Sequence, residues 1–508
     1  MGMLKCSHLF TDHMVLQRDK NIKVWGMAYD GNKVNVEING KTGSGITVDH
    51  KWMVTLPPLE AGGPYTLNVW DDKGECRQFV NVMIGEVWLA GGQSNMELEL
   101  KDSLNGKEML KNIKGTHVRY FYVKKNAYMD EFYYQDEANN SWQEADEDSS
   151  GSWSAVGYYF AKKLSEEIGV TVGIIGCNWG GTSASNWMSI QMLESDADTQ
   201  IYLKDYEKAM EGKTLEQYLI EVKAYKVWQE DWQPRMDAYY AANPEATWEE
   251  AQKVVGVCKW PGPIGPTHEY RPNGLYETML KRVIPYALAG FIYYQGESDD
   301  HHPEIYDKLL RNLICQWRND WEDNLLPFIC VQLPMHINKG AEDTKNWCLI
   351  REAQMKVHQT VANTGIAVAI DLGEYNNIHP VDKKPVGERL ALQALHHFYE
   401  LILGKEAYGP IYDSCEYDKD GIMLKFNHAE DGFLIKEDKL EGFEIAGIDK
   451  VYYKAEAIIK ENKIFVSTKE VTDPKYARYL WTNYSNVYVF GKNGLPLAPF
   501  RTSVRDNI

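Results

Sequence analysis

Four short stretches of this 508-residue chain carry residue types suited to acyl transfer. In GGQSNMELEL, Gly91 and Gly92 permit a sharp turn, and Ser94 would then open a helix whose exposed N–H groups favour negative charge. A serine placed there can attack a carbonyl while its own N–H faces the developing oxyanion. Alone, it reads more simply as an N-cap. In CNWGGTSASNW, Gly180 and Gly181 can present an N–H with no side chain in the way, although a tight turn would need the same pair. In YYQGESDDHH, Gln295 can donate an amide N–H to an oxyanion and Glu297 can orient its neighbours. In NNIHPVDKKPVGERLALQAL, Pro380 restricts the backbone after His379. That histidine can take the proton from Ser94 and hand it to a departing alcohol.

What gives the four stretches weight is where they fall. From Met83 onward, apolar runs alternate with amphipathic helical patterns. The strand candidates are Ile84–Ala90, Val170–Gly176, Leu288–Tyr294, Leu326–Pro334 and Gly365–Asp371. Runs apolar on both faces, joined by helices, predict a parallel sheet covered on both sides. One helical pattern repeats Val156, Phe160 and Leu164 at i+4; another starts near Pro385. Each chemical motif lies just past a strand end, where ligands bind in open α/β sheets. Together they supply a nucleophile, oxyanion donors and a base.

Other segments flank this unit. Residues 1–83 alternate in short runs split by DG, NG and GG turns, which predicts an all-β, sandwich-like domain. Residues 84–405 form the expected catalytic domain. Within it, 190–265 is rich in Glu, Lys, Tyr and Trp and reads as a helical insertion, a lid or wall over the site. Residues 406–508 return to short strands and predict a second all-β segment.

Composition narrows the function classes. A formal net charge of −19 argues against nucleic acid, whose phosphates need Lys and Arg, and mildly disfavours an anionic substrate. No run of 18 apolar residues occurs, so no membrane span is expected. The N-terminus shows no signal-peptide pattern, which points to a cytoplasmic protein. Eight cysteines without a CxxC pair read as free, mostly buried thiols. His301–His302 and His396–His397 could suggest metal ligands, but neighbours on a helix do not share a face, and both pairs read as incidental.

At this point the sequence resembles the sialate O-acetylesterase family of the SGNH/GDSL hydrolase superfamily, over nearly its whole length. GEVWLAGGQSNME is similar to the family's nucleophile block. WGGTSASNW, IYYQGESD, LPFICVQLP and IHPVDKKPVGERLA follow in the family's order. HLFTDHMVLQRDKNIKVWG and NGLPLAPFRTS resemble its two ends. The resemblance implies an SGNH-type three-layer α/β/α fold with a parallel, flavodoxin-like sheet and flanking β segments. It also implies Ser94 as nucleophile, His379 as base, and oxyanion donors from the Ser94 and Gly181 backbone and the Gln295 side chain. One departure stands out. Many superfamily members carry Asp three residues before the histidine, and many relatives in this family carry it two before. This chain has Asn376 and Asn377 there. Where a triad Asp enforces the tautomer, Asn in its place costs ~10⁴ in rate. Glu374, Asp371, Glu297 or a Ser–His dyad remain open as the source of orientation.

The expected reaction removes an acetyl group from a sugar hydroxyl through an acetyl-enzyme and calls on no metal or organic cofactor. The substrate would be an acetylated mono- or oligosaccharide. Sialate, with its carboxylate, would want a cation, for which Arg271 in THEYRPNGLY is the candidate. Acetylated hemicellulose fragments (xylan, xyloglucan, mannan) are the alternative. Trp187 and Tyr270 are candidate ring-stacking walls. A lipase or thioesterase would use the same parts but needs a long apolar groove. A non-catalytic carbohydrate-binding protein is the competing reading from another class. The sequence carries no signal of oligomeric state.

Overall fold

The computed structural model describes residues 3–130, 133, 140–244 and 246–503. The five apolar runs become strands β1 (Cys76–Gly92), β3 (Val172–Asn178), β4 (Gly290–Tyr294), β5 (Phe328–Gln332) and β6 (Thr364–Val368), and β2 (Val118–Tyr122), not among the expected strands, joins them. They lie in the order β2-β3-β1-β4-β5-β6, every adjacent pair parallel. Gln143–Glu144 adds a short antiparallel edge beside β2. The main helices are α1 (Ser94–Glu97), α2 (Ala155–Ile168), α3 (Ile201–Met210), α4 (Leu215–Ala242), α5 (Trp248–Val255), α6 (Tyr306–Asp320), α7 (Asn346–Thr360) and α8 (Lys384–His397).

Side chains alternate between the faces of a strand. Trp88 of β1 meets Phe160 of α2 edge-on, with ring centroids 5.1 Å apart. Gly91, of opposite parity, faces α6: a Cβ there would lie 2.9 Å from the Trp317 ring. Helices therefore cover both faces, which is why these strands read as unbroken apolar runs rather than as alternation.

β1 is longer than its expected core. Its first half pairs antiparallel with Gly62–Asp71 and parallel with Val15–Gln17, so N-terminal strands and the parallel strands share one curled, mixed sheet. The expected border at 83/84 falls inside this strand. A separate three-stranded sheet (Lys5–Cys6, Ile22–Met27, Lys51–Leu56) lies ahead of it. After α8 come a four-stranded sheet over Ile411–Ser467, a second built on Phe443–Ala446 and Tyr476–Tyr479, and a two-stranded pair. The stretch 190–265 carries Ile190–Glu194, α3, α4 and α5. Capping boxes Thr214/Gln217 and Thr247/Glu250 start α4 and α5. Among the described residues, no helix is long and apolar enough to cross a membrane. All eight thiols are free; Cys177, Cys330 and Cys348 are buried, whereas Cys76 and Cys315 are exposed, fewer buried than expected.

Two helices position the loop that carries His379. Ser154 caps α2 by accepting from Gly157 N at 3.0 Å, and Gly169 ends it at φ +66°. The apolar face with Val156, Phe160 and Leu164 is buried. α8, which follows the His379 loop, crosses α2 at Gly387. A Cβ at Gly387 would lie 2.6 Å from Tyr159 Cβ and 2.7 Å from Phe160 N. Gly387→Ala is expected to destabilise the fold by ~1–3 kcal/mol through overpacking, seen as a lower midpoint in chemical denaturation. An unchanged midpoint would contradict this contact.

Candidate active site

β1 ends at Gly92. Its φ of +133° favours glycine, and any Cβ there would stand only 2.1 Å from Tyr294 O. The chain then turns into α1, and Ser94 is its first residue. The hydroxyl of Ser94 lies 2.8 Å from His379 Nε2, on the loop between β6 and α8. Both line a cavity of about 770 Å³ outside the carboxyl ends of β1, β3 and β4.

The Gly180–Gly181 turn presses against the serine: a Cβ on Gly180 would stand 3.3 Å from Ser94 Cβ. Gly180 N–H is taken by Glu97 Oε2 at 2.6 Å, while Glu97 also pairs with Lys125. The N–H groups of Gly181 and Ser94 donate no hydrogen bond among the described residues, so both are free to face an oxyanion. Gly181 sits at φ +74° with the Tyr270 hydroxyl where a side chain would go.

Several expected residues have other duties. Gln295 is 1% exposed and lies behind the cavity wall. Its Nε2 donates to Asp299 Oδ2 (2.6 Å) and to Thr182 O (3.2 Å), so it cannot serve an oxyanion as expected. Gln93, one residue before Ser94 and not among the expected donors, does line the cavity. Its Oε1 accepts from Gln295 Nε2 (3.2 Å) and Ser298 N (3.1 Å). Two obligate donors converge on one atom, so that atom is the oxygen. Gln93 Nε2 is the other end of the amide, and Gln93 lines the cavity.

None of the three candidate acids contacts the imidazole. Asp371 is bound by Arg389 through two contacts of 2.6 and 2.8 Å. Glu297 Oε1 accepts from Asn95 Nδ2 at 2.6 Å. Glu374 accepts from Asn377 Nδ2 (2.8 Å) and Val381 N (2.9 Å), bracing the loop on both sides of His379. Asn377 Oδ1 in turn accepts from His379 N at 3.0 Å. Asn376, at φ +59°, is held by Ile337 O and by Lys339 N. The two asparagines thus shape the turn that presents His379.

Arg271 points away from the site. Its Nη2 donates to Ala127 O at 3.3 Å, and it does not line the cavity. Trp187 is fully buried, bonded to Thr182 Oγ1 at 3.0 Å, and is core rather than a ring-stacking wall. Tyr270 does line the cavity. His301 and His302 lie in a turn, not a helix, and with Asp205 bring ligand-type atoms within 4.8 Å of one another. His302 Nε2 is engaged by Asp205 Oδ2 at 2.7 Å. His396 and His397 end α8 and contact Ile402 O and Tyr408.

The chain as a whole is similar to known carbohydrate esterases. The family described as carbohydrate esterase, sialic acid-specific acetylesterase, matches residues 230–396, which include Glu297 and His379. Sialate O-acetylesterase of Mus musculus is 26% identical over 416 residues, 75% of this chain and 71% of the relative. That of Homo sapiens is 24% identical over 433 residues, 78% and 71% respectively. A carbohydrate acetylesterase from Xanthomonas citri superposes with a TM-score of 0.79 at 28% identity, covering 98% of this chain and 99% of its own. The chain is similar to sialate O-acetylesterases. On these likenesses it is an esterase.

In this esterase the blocks are tied together behind the serine by Asn95. Its Nδ2 donates to Glu297 Oε1 and to Ile378 O (3.0 Å), and its Oδ1 accepts from Lys383 Nζ at 2.6 Å. Asn95 directly follows the serine in GQSNM, the one clue to it in the sequence; nothing there tells buried Lys383 from exposed Lys384. Burial pushes the Glu297 carboxyl above its usual range and brings the Lys383 ammonium down to about 7. Burial of the His379 ring, reinforced by the charges of Lys383 and His336, lowers its pKa below the ordinary 6.5. A general base must be neutral, so kcat/KM is expected to fall on the acid side only below 6.5. Lys383 is protonated where that limb lies. Lys383→Met should therefore move the limb toward neutral pH. A limb that stays put in the variant would contradict the coupling.

Proposed function

We propose that the chain is a carbohydrate O-acetylesterase acting through Ser94 and His379. The 2.8 Å contact between hydroxyl and imidazole at a cavity floor carries this reading. With Nε2 accepting from Ser94, the ring proton sits on Nδ1. Ser94 Oγ attacks the acetyl carbonyl as His379 Nε2 takes its proton. The oxyanion is met by the N–H groups of Ser94 and Gly181 and by Gln93 Nε2. The tetrahedral species collapses, and the sugar oxygen leaves with the proton from His379. Water then attacks the acetyl-enzyme with His379 again as base, and acetate departs.

Because no carboxylate meets Nδ1 among the described residues, we read the pair as a dyad. The Glu374–Asn377 brace holds the imidazole in line in place of an acid. We also read the sheet as SGNH-type. Setting aside edge strand β2, the order β3-β1-β4-β5-β6 is the flavodoxin-like 2-1-3-4-5, with the site at the β1/β4 switch point.

Acetate release from an acetylated sugar is the test. Ser94→Ala should lower kcat by at least about a thousand-fold with the fold unchanged. Release that survives the substitution would remove Ser94 as nucleophile.

A further inference from the structure

The catalytic cavity does not end at its own rim. Tyr270, beside Gly181, meets Trp260 edge-on with centroids 5.8 Å apart. Trp260 lines the catalytic cavity and also a second one, of about 270 Å³, formed by α4 and α5. The second cavity is aromatic. Trp228 and Trp232 stack at 5.1 Å, and Trp248 meets Trp232 at 6.1 Å. Some of this packing is simply the small core of the inserted helices, where Trp232 and Met236 are buried. Core packing does not account for Trp260 at 59% and Trp248 at 45% exposed, both turned to the cavity. Gln229, Gln233 and Asp237 supply hydrogen-bonding groups beside these rings.

Charge defines the ligand further. Among the described residues, no Lys or Arg lines either cavity, while Asp205, Glu297 and Asp300 line the first and Asp237 the second. Lys259 lies near, over the Trp228 ring at 5.4 Å. A surface of indole faces with amide and carboxylate partners and no lining cation suits stacked, uncharged pyranose rings. We propose that the second cavity is a distal sugar subsite, so that the substrate is a neutral acetylated oligosaccharide. Its acetylated residue lies at Ser94 and a neighbouring ring packs on Trp260 and Trp248. This rests on the esterase reading above.

The test measures kcat/KM for acetate release from acetylated xylo-oligosaccharides of increasing length, divided by kcat/KM for p-nitrophenyl acetate in the same preparation. In the natural chain this ratio should rise about ten-fold from one sugar residue to three. In Trp248→Ala the rise should vanish; taking the ratio in one preparation removes any effect of partial unfolding. A ratio independent of length, or a rise untouched by Trp248→Ala, overturns the subsite. Preference for a carboxylate-bearing acetylated oligosaccharide of equal length overturns its neutrality. Absence of hydrolysis of every ester would instead overturn the esterase reading itself.

Discussion

A hydroxyl and an imidazole 285 residues apart along the chain come within 2.8 Å, and most of the architecture exists to hold them there. The serine is fixed from below by β1 and its glycine turn. The histidine rides on a loop whose ends are anchored by β6 and α8. The two are joined behind the reacting atoms by Asn95, which reaches the carbonyl of Ile378, next to the histidine. That side chain is fully buried and spends its amide on three partners. A buried amide that loses a partner carries an unpaired polar group, which costs ~1–3 kcal/mol. The serine block and the histidine block are therefore coupled: displacing one disturbs the other.

The orientation of the imidazole has a different origin from the one a triad would supply. Glu374 grips the loop at Asn377 and Val381, and Asn377 grips the backbone of His379. Position is fixed through the main chain rather than through Nδ1. The cost is that, among the described residues, no carboxylate touches the ring; the charge of Glu97 favours the imidazolium only from a distance. Burial of the ring, with the charges of Lys383 and His336, outweighs Glu97 and favours the neutral form. Such a base is available at mildly acidic pH but is a weaker acceptor than one backed by a carboxylate.

The parallel strands, the glycine turn before Ser94 and the placement of His379 between strand and helix were legible because each rests on local grammar. Apolar runs, paired glycines and a helix start leave marks within a few residues. The roles of Gln295, Trp187 and Arg271 were not legible, because each depends on which way a side chain turns. Gln295 stands at a strand end as expected, yet Asp299, buried four residues on, draws its amide inward. Trp187 lies in a motif at the site, yet its ring completes the core under it. Gln93 became visible only through two donors converging on its oxygen from residues about 200 positions away. The acid could not be chosen from the sequence because the choice depends on which way each carboxylate turns, and all three are committed to other partners.

A fluorophosphonate, which reacts with a serine hydroxyl activated by a neighbouring base, tests the central pairing most directly. The account predicts one adduct per chain, mapped to Ser94 by peptide mass analysis, with acetate release lost in proportion to labelling and labelling slowed strongly in His379→Ala. Stoichiometric labelling of Ser94 with acetate release intact, or labelling whose rate ignores the loss of His379, would contradict it.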